Sequence, residues 1–128
     1  MRRALLLALL TTACITYPWQ KGIHSAQTEN EYYIEGQAWK YVAEQNTKID
    51  GVVFAPTTFG VGDEEVASGW FFNDEVWFWD DWVNHGSRTK LDMDELAWHE
   101  VCHASAKNDH GSKWCACMTR RFKNKHCQ

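Results

Sequence analysis

No apolar run in this 128-residue chain is long enough to cross a bilayer. The best candidate, around Ala4 to Leu10, offers roughly ten residues where a membrane-spanning helix needs ~20. Positive charge is also scarce. Thirteen Lys and Arg against seventeen Asp and Glu leave a formal net charge of -4, which argues against a dominant attraction to nucleic acid or anionic lipid. The basic residues Arg120, Arg121, Lys123 and Lys125 read as a short solvated terminus. No Cys-x-x-Cys pair occurs, so a structural zinc ribbon built from the thiols, even with His126, is not expected. At 45% hydrophobic and 23% charged, the chain has the balance of one globular domain and no length for a second.

What is present begins at the N-terminus. Met1-Arg2-Arg3 is a charged lead into the short apolar run, the pattern of an export signal over residues 1–13. The run ends Leu10-Thr11-Thr12-Ala13-Cys14, which resembles the bacterial lipobox, although Thr11 stands where an aliphatic residue is usual. That resemblance implies a lipidated Cys14 as mature N-terminus and a lipid anchor in the bacterial cell envelope. Ile15 after the cysteine points to the outer membrane if the host is Gram-negative. An ordinary secretory signal, and so a secreted protein, is the alternative. Residues 14–28 hold Pro18, Gly22 and Ser25 without apolar periodicity and read as a tether, with the folded domain at 29–128.

Cysteine usage agrees with export. Cys102, Cys115, Cys117 and Cys127 remain, an even number suited to an oxidising compartment. A Cys115–Cys117 bridge would close a strained small ring, so the expected schemes join Cys102 to one of these two and Cys127 to the other.

The periodicities suggest an α+β fold. Tyr33, Ile34, Ala38, Tyr41 and Val42 recur at helical spacing over Glu31 to Lys48, with Gly51 just past the end. Val52 to Phe54, Val66 to Phe72 and Val76 to Trp79 read as strands of a small, mainly antiparallel sheet. Asn73-Asp74 suits a hairpin between the last two. Leu91 to Lys107 is the strongest helix, with Asp92 and Glu95 as an expected capping box. A last helix over Ser112 to Phe122 puts Trp114, Met118 and Phe122 on one face. The crowded Trp70, Trp77, Trp79 and Trp82 are expected in the core, with a substrate groove or sugar-stacking platform as the alternative.

On the strongest helix lies His99-Glu100-Val101-Cys102-His103. A four-residue step turns 400°, so the two imidazoles project from one side and can share a metal ion. Glu100, rotated by about 100°, reaches a water on that metal, which is the place of a general base. Zinc in hydrolytic sites takes three protein ligands, and His110 is the expected third, with Gly111 assisting the turn back. Asp109 is the rival third ligand. Cys102 falls near the ligand face, and a disulfide or a core thiol explains it better than a metal bond. His24, His85 and His126 read as surface residues.

The run from His99 through His103 and Ala104 to His110-Gly111-Ser112-Lys113-Trp114, with Gly69-Trp70-Phe71 and Val76-Trp77-Phe78 upstream, resembles the SprT-like zinc metallopeptidases over roughly residues 65–122. The resemblance implies a zincin-like fold with flanking helices, zinc on His99, His103 and His110, and Glu100 as catalytic residue. The expected reaction is hydrolysis of peptide bonds in a polypeptide, with Val76 to Trp79 as a platform for extended substrate. A cell-wall peptide amidase sharing the metal site and a non-enzymatic envelope lipoprotein are the alternatives.

Overall fold

A computed structural model describes residues 22–56, 68–107 and 110–127. Cys14, the export-like segment and Asp109 lie outside these residues. Thr28 caps helix α1 (Glu29–Glu44), its side chain accepting the Glu31 N–H. The expected continuation to Lys48 does not form. Asn46 takes a left-handed φ of 52°, and the amides of Asn46 and Thr47 turn back to the carbonyls of Ala43 and Val42. This is a Schellman stop with asparagine in the position glycine usually holds, five residues before Gly51.

Strands β1 (Gly51–Ala55), β2 (Gly69–Phe72) and β3 (Glu75–Trp79) form one sheet in the order β1-β3-β2. Asn73 and Asp74, with φ of 54° and 61°, make the two-residue turn of the β2–β3 hairpin. Both central residues at positive φ match the right-handed twist of the flanking strands. The hairpin sets Trp70 opposite Trp77. On the other side of β3, β1 pairs in parallel, from Gly51 opposite Glu75 to Ala55 opposite Trp79. The sheet is therefore mixed rather than mainly antiparallel. A period-two pattern marks a run as a strand but says nothing of which edge it takes, and the chain between β1 and β3 is long enough for a parallel return.

Alternation along the strands separates two faces. Phe54, Phe71, Val76 and Phe78 join the main core with Ile34, Ala38 and Tyr41 of α1, while Ala55, Trp77 and Trp79 pack in a second cluster. Core packing is thus the role of Trp77 and Trp79, as expected; Trp70 and Trp82 are half-buried. The polar stretch expected as tether is part of this fold from His24 onward. His24 bridges Phe54 through two backbone hydrogen bonds, its ring bonds Asp80, and Ala26 is buried. Absence of apolar periodicity did not reveal this, because a single bridge needs none.

After β3 come the short helix α2 (Asp80–Val83) and helix α3 (Lys90–Ala106). The capping box at its start lies three residues earlier than expected: Thr89 accepts the Asp92 N–H and Asp92 accepts the Thr89 N–H. Thr89→Ala should cost about 1 kcal/mol in a denaturant titration, and no measurable change would remove this cap from the account. Helix α4 (Ser112–Met118) stops short of the expected Phe122, which still packs against the core. Among the two disulfide schemes left open, the structure takes Cys102–Cys117 and Cys115–Cys127. The first fastens α4 to α3, and the second fastens it to the 3₁₀ turn Lys125–Cys127. No described helix is long and apolar enough to cross a membrane.

Candidate metal centre

Helix α3 carries two of the candidate ligands and is packed on both sides of its inner face. Trp98 meets Tyr41 of α1 edge-on at 5.1 Å and donates its indole N–H to the Cys117 carbonyl of α4. The helical repeat sets His99 and His103 one turn apart, their ring centroids separated by 5.2 Å. His110 reaches them from the segment between α3 and α4, at 5.3 Å from His99 and 4.7 Å from His103. Each of the three offers a ring nitrogen, and these atoms all lie within 4.8 Å of one another. Among the described residues this is the one group of three such side chains that could hold a metal ion.

The return of the chain to His110 begins at Lys107, whose left-handed φ of 54° ends α3. Gly111 was expected to assist the turn, but its backbone is extended, with φ of -79°, and it caps α4. Glycine at such a position offers freedom the observed conformation does not use.

The approach of His110 to His99 suits a small tetrahedral ion. His110 Nε2 and His99 Nε2 lie 3.4 Å apart. Ligand nitrogens at ~2.0–2.1 Å from a tetrahedral centre would stand about 3.3–3.4 Å from each other. A direct N–H···N hydrogen bond would normally be shorter.

Glu100 is buried directly beside the centre. It is 4% exposed, with Oε1 3.7 Å from His99 Nε2 and Oε2 without a hydrogen-bond partner among the described residues. Burial pushes its carboxyl up to about 8. Gly69 of β2 passes close beside it. A Cβ there would come within 3.4 Å of Glu100 Cγ and Oε1, and within 2.9 Å of the Trp77 carbonyl oxygen on the neighbouring strand. Sequence reasoning placed Gly69 only as part of a family-like strand. The close approach of the Trp77 carbonyl gives it a physical reason.

The raised carboxyl has a consequence for the metal-free chain. Its folded value near 8 exceeds its ordinary 4.5, so as pH rises the unfolded chain loses this proton first. Stability is then full below about pH 4.5 and falls as pH climbs toward 8, by an amount on the order of a few kcal/mol. Unfolding curves compared with those of Glu100→Gln isolate the effect, because the variant lacks the titrating group. Identical pH profiles for both proteins would show that Glu100 does not titrate in this way.

His24 and His85 stay apart from the centre. His24 bonds Asp80 and the Ser25 carbonyl, so it is a tying residue at the sheet edge rather than free surface. His85 is exposed, and its ring pairs with the Ser87 hydroxyl. Cys102 is fully buried in its disulfide and is no ligand.

The strand expected as a substrate platform has both edges paired. Val76 to Trp79 belongs to β3, the central strand, whose two edges are taken by β1 and β2. Among the described residues, β2 pairs on one side only, and it is also the strand that touches Glu100. Beside it a recess of about 210 Å³ is lined by Ser68, Trp82, Asp92, Glu95, Leu96 and His99. Comparison with protein-family models, curated proteins and solved structures finds no match to this chain.

Proposed function

We propose that the chain is a zinc-dependent peptidase held at the bacterial cell envelope. The observation that carries this reading is the convergence of His99, His103 and His110 beside a buried Glu100. Three grouped imidazoles, with the His99 and His110 Nε2 atoms 3.4 Å apart, suit zinc better than the oxygen-seeking ions. Three protein ligands, rather than four, are the number found in hydrolytic sites. Bound there, zinc would supply a Lewis acid and a water acidified toward neutrality.

The chain's own residues supply the rest. The Glu100 carboxylate takes the proton of the attacking water and passes it to the departing amine. A cation on the neighbouring histidines would oppose the effect of burial on the Glu100 carboxyl and favour its base form. An extended peptide adding to the outer edge of β2 would run past Glu100, with the recess beside His99 available to one of its side chains.

Location rests on two features. The signal-like N-terminus ending at Cys14 supports a lipid anchor, and the two disulfides favour an oxidising compartment. The test is incubation of the zinc-loaded chain with an unstructured polypeptide and, in parallel, with muropeptides. Chelator-sensitive cleavage of the polypeptide is expected. Cleavage of muropeptides alone would make it a cell-wall amidase, and cleavage of neither would favour a non-enzymatic lipoprotein.

A further inference from the structure

All three candidate ligands rest on one side chain. The Trp114 indole, fully buried, lies 4.7 Å from the His99 ring, 5.6 Å from His103 and 4.4 Å from His110, centroid to centroid. It stacks on His103 at an interplanar angle of 26° and meets the other two rings edge to face, at 70° and 67°. Its Nε1–H donates to the His99 carbonyl at 3.2 Å, which ties the indole to the ligand helix itself. The histidines come from two separate stretches of chain, α3 and the segment after it, and Trp114 is a flat rigid surface common to both.

We propose that Trp114 is the positioning residue of the metal centre, and that it presets the three imidazoles before any ion arrives. The inference rests on the metal reading above. An imidazole on an unrestrained side chain gives up rotamer freedom when it binds, which weakens the binding. Rings already held against the indole have lost that freedom during folding. Binding then avoids most of this cost at three ligands together, as outer partners of metal-ligating histidines generally do.

The position of α4 makes this possible. The helix has seven residues, too few to be stable alone, and two disulfides hold it against α3 and the C-terminal turn. Trp114 therefore reports the geometry of α4 directly to the site.

A matched control exists within the same core. Trp98 is also buried, and its indole N–H also donates to a backbone carbonyl, that of Cys117. Among the described ring contacts it meets Tyr41 rather than a ligand histidine. The test measures zinc affinity by chelator competition, the visible spectrum of the Co²⁺-loaded chain, and the melting temperature of the metal-free chain, for Trp114→Leu, Trp114→Phe and Trp98→Leu. Trp114→Leu should weaken zinc binding about 10- to 100-fold and alter the Co²⁺ spectrum. Trp114→Phe, which keeps a flat ring, should recover most of the affinity. Trp98→Leu should lower the melting temperature but leave affinity within about twofold. If Trp114→Leu does not fold, Trp114→Phe carries the comparison through its Co²⁺ spectrum, which should still differ from the parent. Equal affinity and spectra in the parent and the Trp114 variants would overturn the inference while leaving the metal site standing, as would an equal loss in Trp98→Leu. No metal binding by the parent would instead overturn the metal reading and this inference with it.

Discussion

Glu100→Gln should reduce peptide hydrolysis by on the order of 10²- to 10⁴-fold while the chain keeps its metal, because a positioned general base contributes an effect of that size. The substitution is close to isosteric, and Glu100 does not stand among the three grouped ligand candidates. Loss should fall on kcat, since the proton transfer occurs only on the way to the transition state. The same variant should be at least as stable as the parent at pH 8, since it removes a carboxyl whose ionised form is penalised by burial. Steady-state kinetics paired with metal analysis check both halves. A variant that keeps both zinc and full activity would remove Glu100 from the reaction.

Replacing Cys102 and Cys117 together by alanine should cost about 2–4 kcal/mol of stability and lower the melting temperature by roughly 10 °C. The bridge closes a loop of sequence separation 15, for which the lost chain entropy alone accounts for ~3 kcal/mol. That loop contains His103, His110 and Trp114, so the effect should extend to the site. Without the bridge, α4 is tied only through Cys115 and Cys127, and metal affinity should fall with stability. Thermal melts with and without zinc measure both effects. A loss under 1 kcal/mol would show that packing of Trp114 and Met118 already holds α4 in place.

The readable parts of this molecule are the ones set by local spacing. His99, Glu100 and His103 could be placed from the sequence because the helical repeat fixes their relative directions, and His110 joined them through a short connection. The Asn73-Asp74 hairpin was readable for the same reason, since a two-residue turn leaves one pairing. The stop of α1 was hidden because asparagine, unlike glycine, gives a weak terminating signal; Asn46 and Lys107 both take left-handed backbones without one. The parallel placement of β1 depends on contacts between residues far apart in the chain. Cys115 and Cys117 differ by two positions, so only the packed direction of α4 decides which meets Cys102. The approach of Gly69 to Glu100 and of Trp114 to three imidazoles likewise exists only once the sheet and both helices are assembled.

Metal analysis of the purified chain beside His110→Ala and Asp109→Ala tests the centre most directly. One zinc per chain is expected in the parent and in Asp109→Ala, with binding weakened about 10²-fold in His110→Ala, a proportionate share of the ~10–16 kcal/mol that structural zinc sites with four ligands provide. A parent chain that binds no metal, or a site lost in Asp109→Ala and retained in His110→Ala, would contradict the three-histidine centre.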